Sequence, residues 1–187
     1  MTNKVKIGIG VTSTENRKDF LYEFNKNLME FSEQSENTIC IINLDTDGDG
    51  VAKSKNKCLK VLFEKYNCDH VFLFDEDCWP KKKGWEKFFI EGNPCGYHLN
   101  YLHSGHKKNL ELNYGESVYE TFVDCGGVFM YLSRAMFEKV GYFGEYKGWS
   151  YEHAGYSQRI HLAGFNPHPF MQLKGTKYYL HSLDYDG

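Results

Sequence analysis

The sequence has no apolar run long enough to cross a bilayer. Its first residues, Met-Thr-Asn-Lys-Val-Lys-Ile-Gly, lack the apolar centre of a secretory leader. No basic block exists beyond Lys81-Lys82-Lys83 and the net charge is −3, so nucleic acid is not implied as an electrostatic partner. The six cysteines, Cys40, Cys58, Cys68, Cys78, Cys95 and Cys125, form no C-x-x-C pair, which removes the common structural zinc frameworks. Several of them fall inside apolar patterns, as reduced buried thiols do. These absences predict a soluble, cytoplasmic protein whose thiols stay free.

What remains is ordinary globular material. At 187 residues, 41% hydrophobic and 25% charged, the chain can bury one core and would be cramped as two, so residues 1–187 read as a single domain. The 14 Tyr and 14 Phe can fill that core, and some can line a sugar or base site.

The most informative stretch is His70 to Pro80. An apolar run, Val71 to Phe74, ends in Asp75, Glu76 and Asp77. The run is short, β-branched and aromatic, which predicts a buried strand in a parallel sheet. Three carboxylates at its end repel one another unless positive charge sits among them. A divalent cation on hard oxygen ligands answers that need, and a plain acidic turn after a strand is the other reading. Open α/β sheets bind ligands beyond the carboxyl ends of their strands. Strand alternation turns Glu76 away from the face shared by Asp75 and Asp77.

Upstream, residues 5–11 predict a first strand, Asp19 is placed to cap a helix carrying Phe20, Phe24, Leu28 and Phe31, and Thr38 to Leu44 predicts a second strand. This β-α-β order predicts a parallel pair with a right-handed crossover. Asp45-Thr46-Asp47-Gly48-Asp49-Gly50 opens like a calcium loop. Position twelve is Asn56 rather than Glu, however, and a strand precedes the loop, so it reads as a polar turn beside the ligand crevice. Val51 to Tyr66 predicts a helix whose first turns carry Lys53, Lys55, Asn56 and Lys57. Basic groups there oppose the helix dipole, as at an anion site or on a merely solvated face.

Downstream, residues 91–120 lack periodicity and predict a functional loop or lid, with His98, His103 and His106 as surface or substrate contacts. Phe122 to Leu132 predicts a strand that Gly126-Gly127 interrupts, marking a bulge or close approach of a ligand. Ser133 caps a helix over Arg134 to Val140, and Trp149-Ser-Tyr-Glu-His153 leads into another that Gly164 ends.

Several of these segments, in order, resemble a GT-A-fold glycosyltransferase of the broad family 2 type. Thr14-Glu15-Asn16-Arg17 resembles the family's T-Y-N-R turn. Gly50-Val51-Ala52-Lys53-Ser54-Lys55-Asn56-Lys57 is similar to its G-x-A-x-A-R-N-x segment. Asp75-Glu76-Asp77 stands where the D-x-D motif falls. Gly126-Gly127 through Phe137, Val140-Gly141 and Phe143 resembles the G-G…R-x-x-F-E-x-V-G-x-F segment, and Glu152 with Arg159 and Gly164 resembles E-D-x-D-L-x-x-R-x-x-x-x-G. The chain departs from the pattern where Glu152-His153 replaces the E-D pair, and where Asp45 to Asp49 run almost directly into Gly50.

The resemblance implies an α/β fold with a mostly parallel central sheet flanked by helices, and a metal-dependent hexosyl transfer. The donor would be a nucleotide-diphosphate sugar, a UDP-sugar favoured, and the acceptor a saccharide or other hydroxyl. Mn2+ or Mg2+ would be held by Asp75, Asp77 and His181. Thr12, Asp45, Lys53, Asn56, Asp75 and Gly127 would contact the donor. Glu152 or His153 would act as general base in an inverting displacement, although related enzymes with a similar acidic motif retain configuration. Trp149 could stack on a sugar or simply be buried. Two alternatives stay open: a sugar- or metal-binding module without catalysis, and a sugar-phosphate nucleotidyltransferase. The latter predicts a glycine-rich loop after the first strand, where this chain has Thr12-Ser-Thr-Glu-Asn.

Overall fold

β1 (Ile7–Thr14) is buried along nearly its whole length, which is why it alternates small and β-branched residues instead of apolar and polar ones. The computed structural model describes residues 5–33, 35–102, 105–145 and 151–186. In it β1 pairs in parallel with β2 (Thr38–Asp45) on one side and β3 (His70–Asp75) on the other. β8 (Phe129–Ser133) runs antiparallel to β3, and β5 (Leu99–Asn100) antiparallel to β8, giving the order β2-β1-β3-β8-β5. The expected β-α-β opening is present, with α1 (Lys18–Phe31) as the crossover. Asp19 lies in its first turn rather than at the cap, which is Arg17.

Alternation in β3 divides the core. Phe72 and Phe74 join Ile9, Val11, Phe24, Trp85 and Phe129 on the face covered by α1 and α3 (Trp85–Ile90). Val71 and Leu73 join Leu59, Leu62, Phe63, Met130 and Ile160 on the other. That second face is covered by α2 (Val51–Leu59), α4 (Arg134–Val140) and α5 (Glu152–Leu162). α2 continues as a π-helix over Lys60–Lys65. It packs so closely on β1 that a Cβ added at Gly10 would lie 2.8 Å from the Cβ of Cys58. Ser133 caps α4 as expected, its hydroxyl accepting from the Met136 amide at 3.4 Å.

Residues 91–120 differ from the expected lid. They hold β5, β6 (Lys108–Tyr114) and the start of β7 (Ser117–Phe122), which form a hairpin around Gly115. β9 (Met171–Leu173) completes that antiparallel sheet. β6 is exposed on both faces, so no apolar alternation marks it in the sequence. His98 is not a surface contact but fully buried. Its ring nitrogens lie 2.8 Å from the Tyr131 carbonyl and 2.8 Å from the Ser157 hydroxyl. Cys78–Pro80 is the short strand β4, antiparallel to β10 (Leu180–Ser182). α6 (Leu183–Asp186) follows. Among the described residues no helix is long and apolar enough to cross a membrane. His103 and Trp149 lie outside the described residues.

Candidate functional site

Parallel register sets the site. Thr12 of β1 stands level with Asp75 of β3, at the carboxyl edge of the sheet. The Thr12 hydroxyl donates to Asp75 Oδ1 at 3.0 Å. From the neighbouring helix, Lys55 brings its ammonium to 2.9 Å from the same oxygen. Lys55 is wholly buried, and its Nζ also donates to the Gly127 carbonyl at 2.7 Å and to His153 Nε2 at 2.8 Å. Burial opposes ionisation of Asp75, but the Lys55 charge and the Lys55 and Thr12 hydrogen bonds outweigh it, so its carboxyl titrates below the usual range.

His153 lies at the start of α5, next to Glu152. Its Nδ1 is 3.2 Å from Glu152 Oε1. Because Lys55 can only donate, Nε2 accepts, and the network assigns the ring proton to Nδ1. Burial, reinforced by the Lys55 charge, lowers the His153 pKa to about 3. Imidazole and carboxylate are thus held as a neutral donor beside an acceptor. Gly127 permits this arrangement, since a Cβ there would lie 1.9 Å from His153 Cε1. The close approach anticipated at the paired glycines is therefore made by the chain's own side chains, with Gly126 equally close to the Tyr185 hydroxyl. Tyr151, which precedes α5, has a left-handed backbone (φ 74°), strain of the kind concentrated at functional positions.

Strand alternation stops at Asp75, where the chain turns. Glu76 and Asp77 consequently do not diverge; both face Arg17. Arg17 Nε lies 2.7 Å from Glu76 Oε1, and an η nitrogen bonds Asp77 Oδ2. Burial pushes the Glu76 pKa up to about 7 and raises that of Asp77, with Arg17 opposing both. Among the described residues three buried carboxylate oxygens have no hydrogen-bond partner, Asp77 Oδ1 and Glu152 Oε2 at this site and Glu86 Oε2 on α3. Such acceptors are costly unless something outside the network uses them.

The remaining expected residues are placed differently. Asp45 at the end of β2 accepts from the Asp49 and Gly50 amides at 2.9 and 2.8 Å, closing the acidic turn. Lys53 is exposed and pairs with Asp49, as does Lys57, which resolves the apparent conflict with the helix dipole. Asn56 holds the Phe143 backbone through both amide atoms. Lys53 and Asn56 line a groove of about 620 Å3 with Lys57, Tyr142 and Phe143, a lining that does not include Asp75. His181 lies within β10, opposite Trp79, the two rings 4.9 Å apart. The ladder continues as the Leu183 amide donates to the Asp77 carbonyl at 2.9 Å. Among the described residues no three His, Cys, Asp or Glu side chains converge tightly enough to hold a metal by themselves. Arg17 and Lys55, the two cations that neutralise the acidic cluster, are marked in the sequence only as the end of a T-Y-N-R-like turn and as one of several basic groups at the start of α2.

No family model and no curated protein matches the chain. Solved structures do. S. aureus TarS aligns over 95% of this chain and 36% of its own, at 14% identity and a TM-score of 0.64. The mannosyltransferase PcManGT of Pyrobaculum calidifontis, in complex with GDP-Man and Mn2+, aligns over 91% of this chain and 57% of its own, at 11% identity and 0.60. A mutant of Drosophila β1,4-galactosyltransferase 7 with manganese, UDP-Gal and xylobiose aligns over 96% and 71%, at 16% identity and 0.57. The fold is GT-A-like. At these identities the likeness extends to the fold alone, and this chain spans little more than a third of TarS and just over half of the mannosyltransferase. Within the GT-A-like fold, the Asp75 cluster lies where an open α/β sheet presents its ligand crevice.

Proposed function

We propose that the chain is a metal-dependent glycosyltransferase that moves a hexosyl group from a nucleotide-diphosphate sugar to a hydroxyl acceptor with inversion. One observation carries this reading. The carboxyl edge of a GT-A-like sheet holds an ionised Asp75 and an Asp77 whose buried Oδ1 has no partner. Hard carboxylate oxygens suit Mn2+ or Mg2+, and Mg2+ sites commonly use one or two carboxylates completed by substrate phosphates, so a full protein cage is not required. Asp77 would hold the ion through its partnerless Oδ1, with diphosphate oxygens rather than three protein side chains completing the set. When bound, the ion supplies positive charge opposite the diphosphate leaving group.

Glu152 is the general base. Its partnerless Oε2 takes the proton of the acceptor hydroxyl as that oxygen bonds to the anomeric carbon. The bond from that carbon to the donor phosphate breaks, and its electron pair leaves with the nucleoside diphosphate. His153 is the positioning group for Glu152, through its Nδ1–H. Lys55 holds Asp75, His153 and Gly127 in one arrangement. Thr12 stands at the donor side of Asp75. The test is incubation with a panel of UDP-, GDP- and dTDP-sugars and Mn2+, measuring nucleoside diphosphate. Release from one donor, accelerated by a saccharide, is the expected result. Binding without release from any donor would instead favour a non-catalytic module.

A further inference from the structure

The three carboxylates after β3 are balanced by two cations that differ in kind. Lys55 is fully buried and is fixed by Asp75, Gly127 and His153. Arg17 comes from the single 3-10 turn Glu15–Arg17 between β1 and α1, and its side chain is 44% exposed, whereas those of Glu76 and Asp77 are 5% and 3% exposed. It reaches both acids from the solvent side, with its guanidinium 5.3 Å from the centre of the Phe20 ring. One oxygen of Asp77 is taken by Arg17; the other, Oδ1, is buried without a partner.

We propose that Arg17 is a displaceable counter-ion of Glu76 and Asp77, competing with a divalent cation for Asp77 and thereby setting the affinity for that cation. This rests on the reading of Asp77 as a metal ligand. A carboxylate shared between a guanidinium and a divalent ion brings two positive centres to adjacent oxygens, and their repulsion subtracts from the ion's affinity. Affinity for hard cations follows the ligand charge count. Removing Arg17 takes one positive charge from beside these acids and so increases the net negative charge that an ion meets. An exposed arginine held by these acids, by the field of Asp184 and by an aromatic face can withdraw into water, which the fully buried Lys55 cannot do.

The experiment is Mn2+ titration of the intact chain, reading free Mn2+ by its electron paramagnetic resonance signal. Arg17→Gln should bind roughly tenfold more tightly than the unmodified protein. Arg17→Lys, which keeps the charge, should stay near the unmodified value. Lys26→Gln, on the following helix α1 and paired with Glu23, controls for bulk charge and should not change affinity. Equal or weaker binding by Arg17→Gln overturns the inference while leaving the metal reading standing. Absence of Mn2+ binding in every form overturns both. Should Arg17→Gln not fold, the unmodified chain suffices: it has three arginines, and the Nε–H resonance of Arg17 is assigned by its loss in Arg17→Lys. Mg2+ addition should move the Arg17 resonance to the position of a solvated guanidinium. An unmoved resonance at saturating Mg2+ overturns the inference.

Discussion

Lys55 and Gly127 show how much of the site is decided by single residues. A lysine removed from water is strongly unfavourable unless its charge is paired and its protons are used. Here Asp75, the Gly127 carbonyl and His153 use them. Gly127 has no side chain because His153 fills that space. Gly127→Ala should therefore displace His153 from both Lys55 and Glu152. We expect a loss of about 1–3 kcal/mol in unfolding stability, the usual range for overpacking, together with loss of sugar transfer, measured by thermal unfolding and by nucleoside diphosphate release. An unchanged melting curve with full activity would contradict the packing described. Part of this was legible in the sequence. Ala52, Lys55, Leu59 and Leu62 fall on one helical stripe, so the phase of α2 puts a lysine on its apolar face. Arg17 was not legible, because nothing in the sequence says that the chain turns after Asp75 and brings Glu76 to the same side as Asp77.

At the level of elements, His98 fastens three of them. It precedes β5, bonds the backbone of β8 through Tyr131 and the hydroxyl of Ser157 on α5, and its own backbone pairs with the Asn166 side chain. The Tyr131 carbonyl accepts, so Nδ1 carries the proton and Nε2 takes the Ser157 hydrogen. Burial lowers the His98 pKa to about 4. An unfolded histidine titrates near 6.5, so as pH falls the unfolded chain takes up the proton first. Stability from this residue is complete above about pH 6.5 and is lost progressively toward pH 4, on the order of 3 kcal/mol in all. Urea unfolding across that range should show a shallower pH slope for His98→Gln than for the unmodified chain; identical slopes would contradict it. The sequence gives a histidine in a polar, aperiodic stretch, and that pattern suits an exposed loop as well as a core latch. The β6–β7 hairpin was hidden for a related reason: β6 is solvated on both faces, so its residues carry no alternation. β1, β2 and β3 were readable because they are β-branched runs in a β-α-β order, and their parallel pairing is found as expected.

For the whole molecule, a GT-A-like sheet is reached at 11–16% identity to solved structures. Little of the architecture therefore depends on particular side chains away from the core and the sheet edge. The parallel register of three strands brings their carboxyl ends together, which puts Thr12, Asp45 and the acidic row along one edge whatever the loops do. Which residues touch a donor or an acceptor is set by contacts that no periodicity encodes, as Lys53 and Asn56 show by lining a groove whose walls do not include Asp75. The central claim is that this edge holds a nucleoside diphosphate through a cation on Asp77. Calorimetric titration of UDP and GDP into the protein, with and without Mn2+, tests it most directly. One of them is expected to bind only with Mn2+ present, and Asp77→Asn to abolish that binding while the protein stays folded. Binding that ignores Mn2+, or that survives Asp77→Asn unchanged, would contradict it.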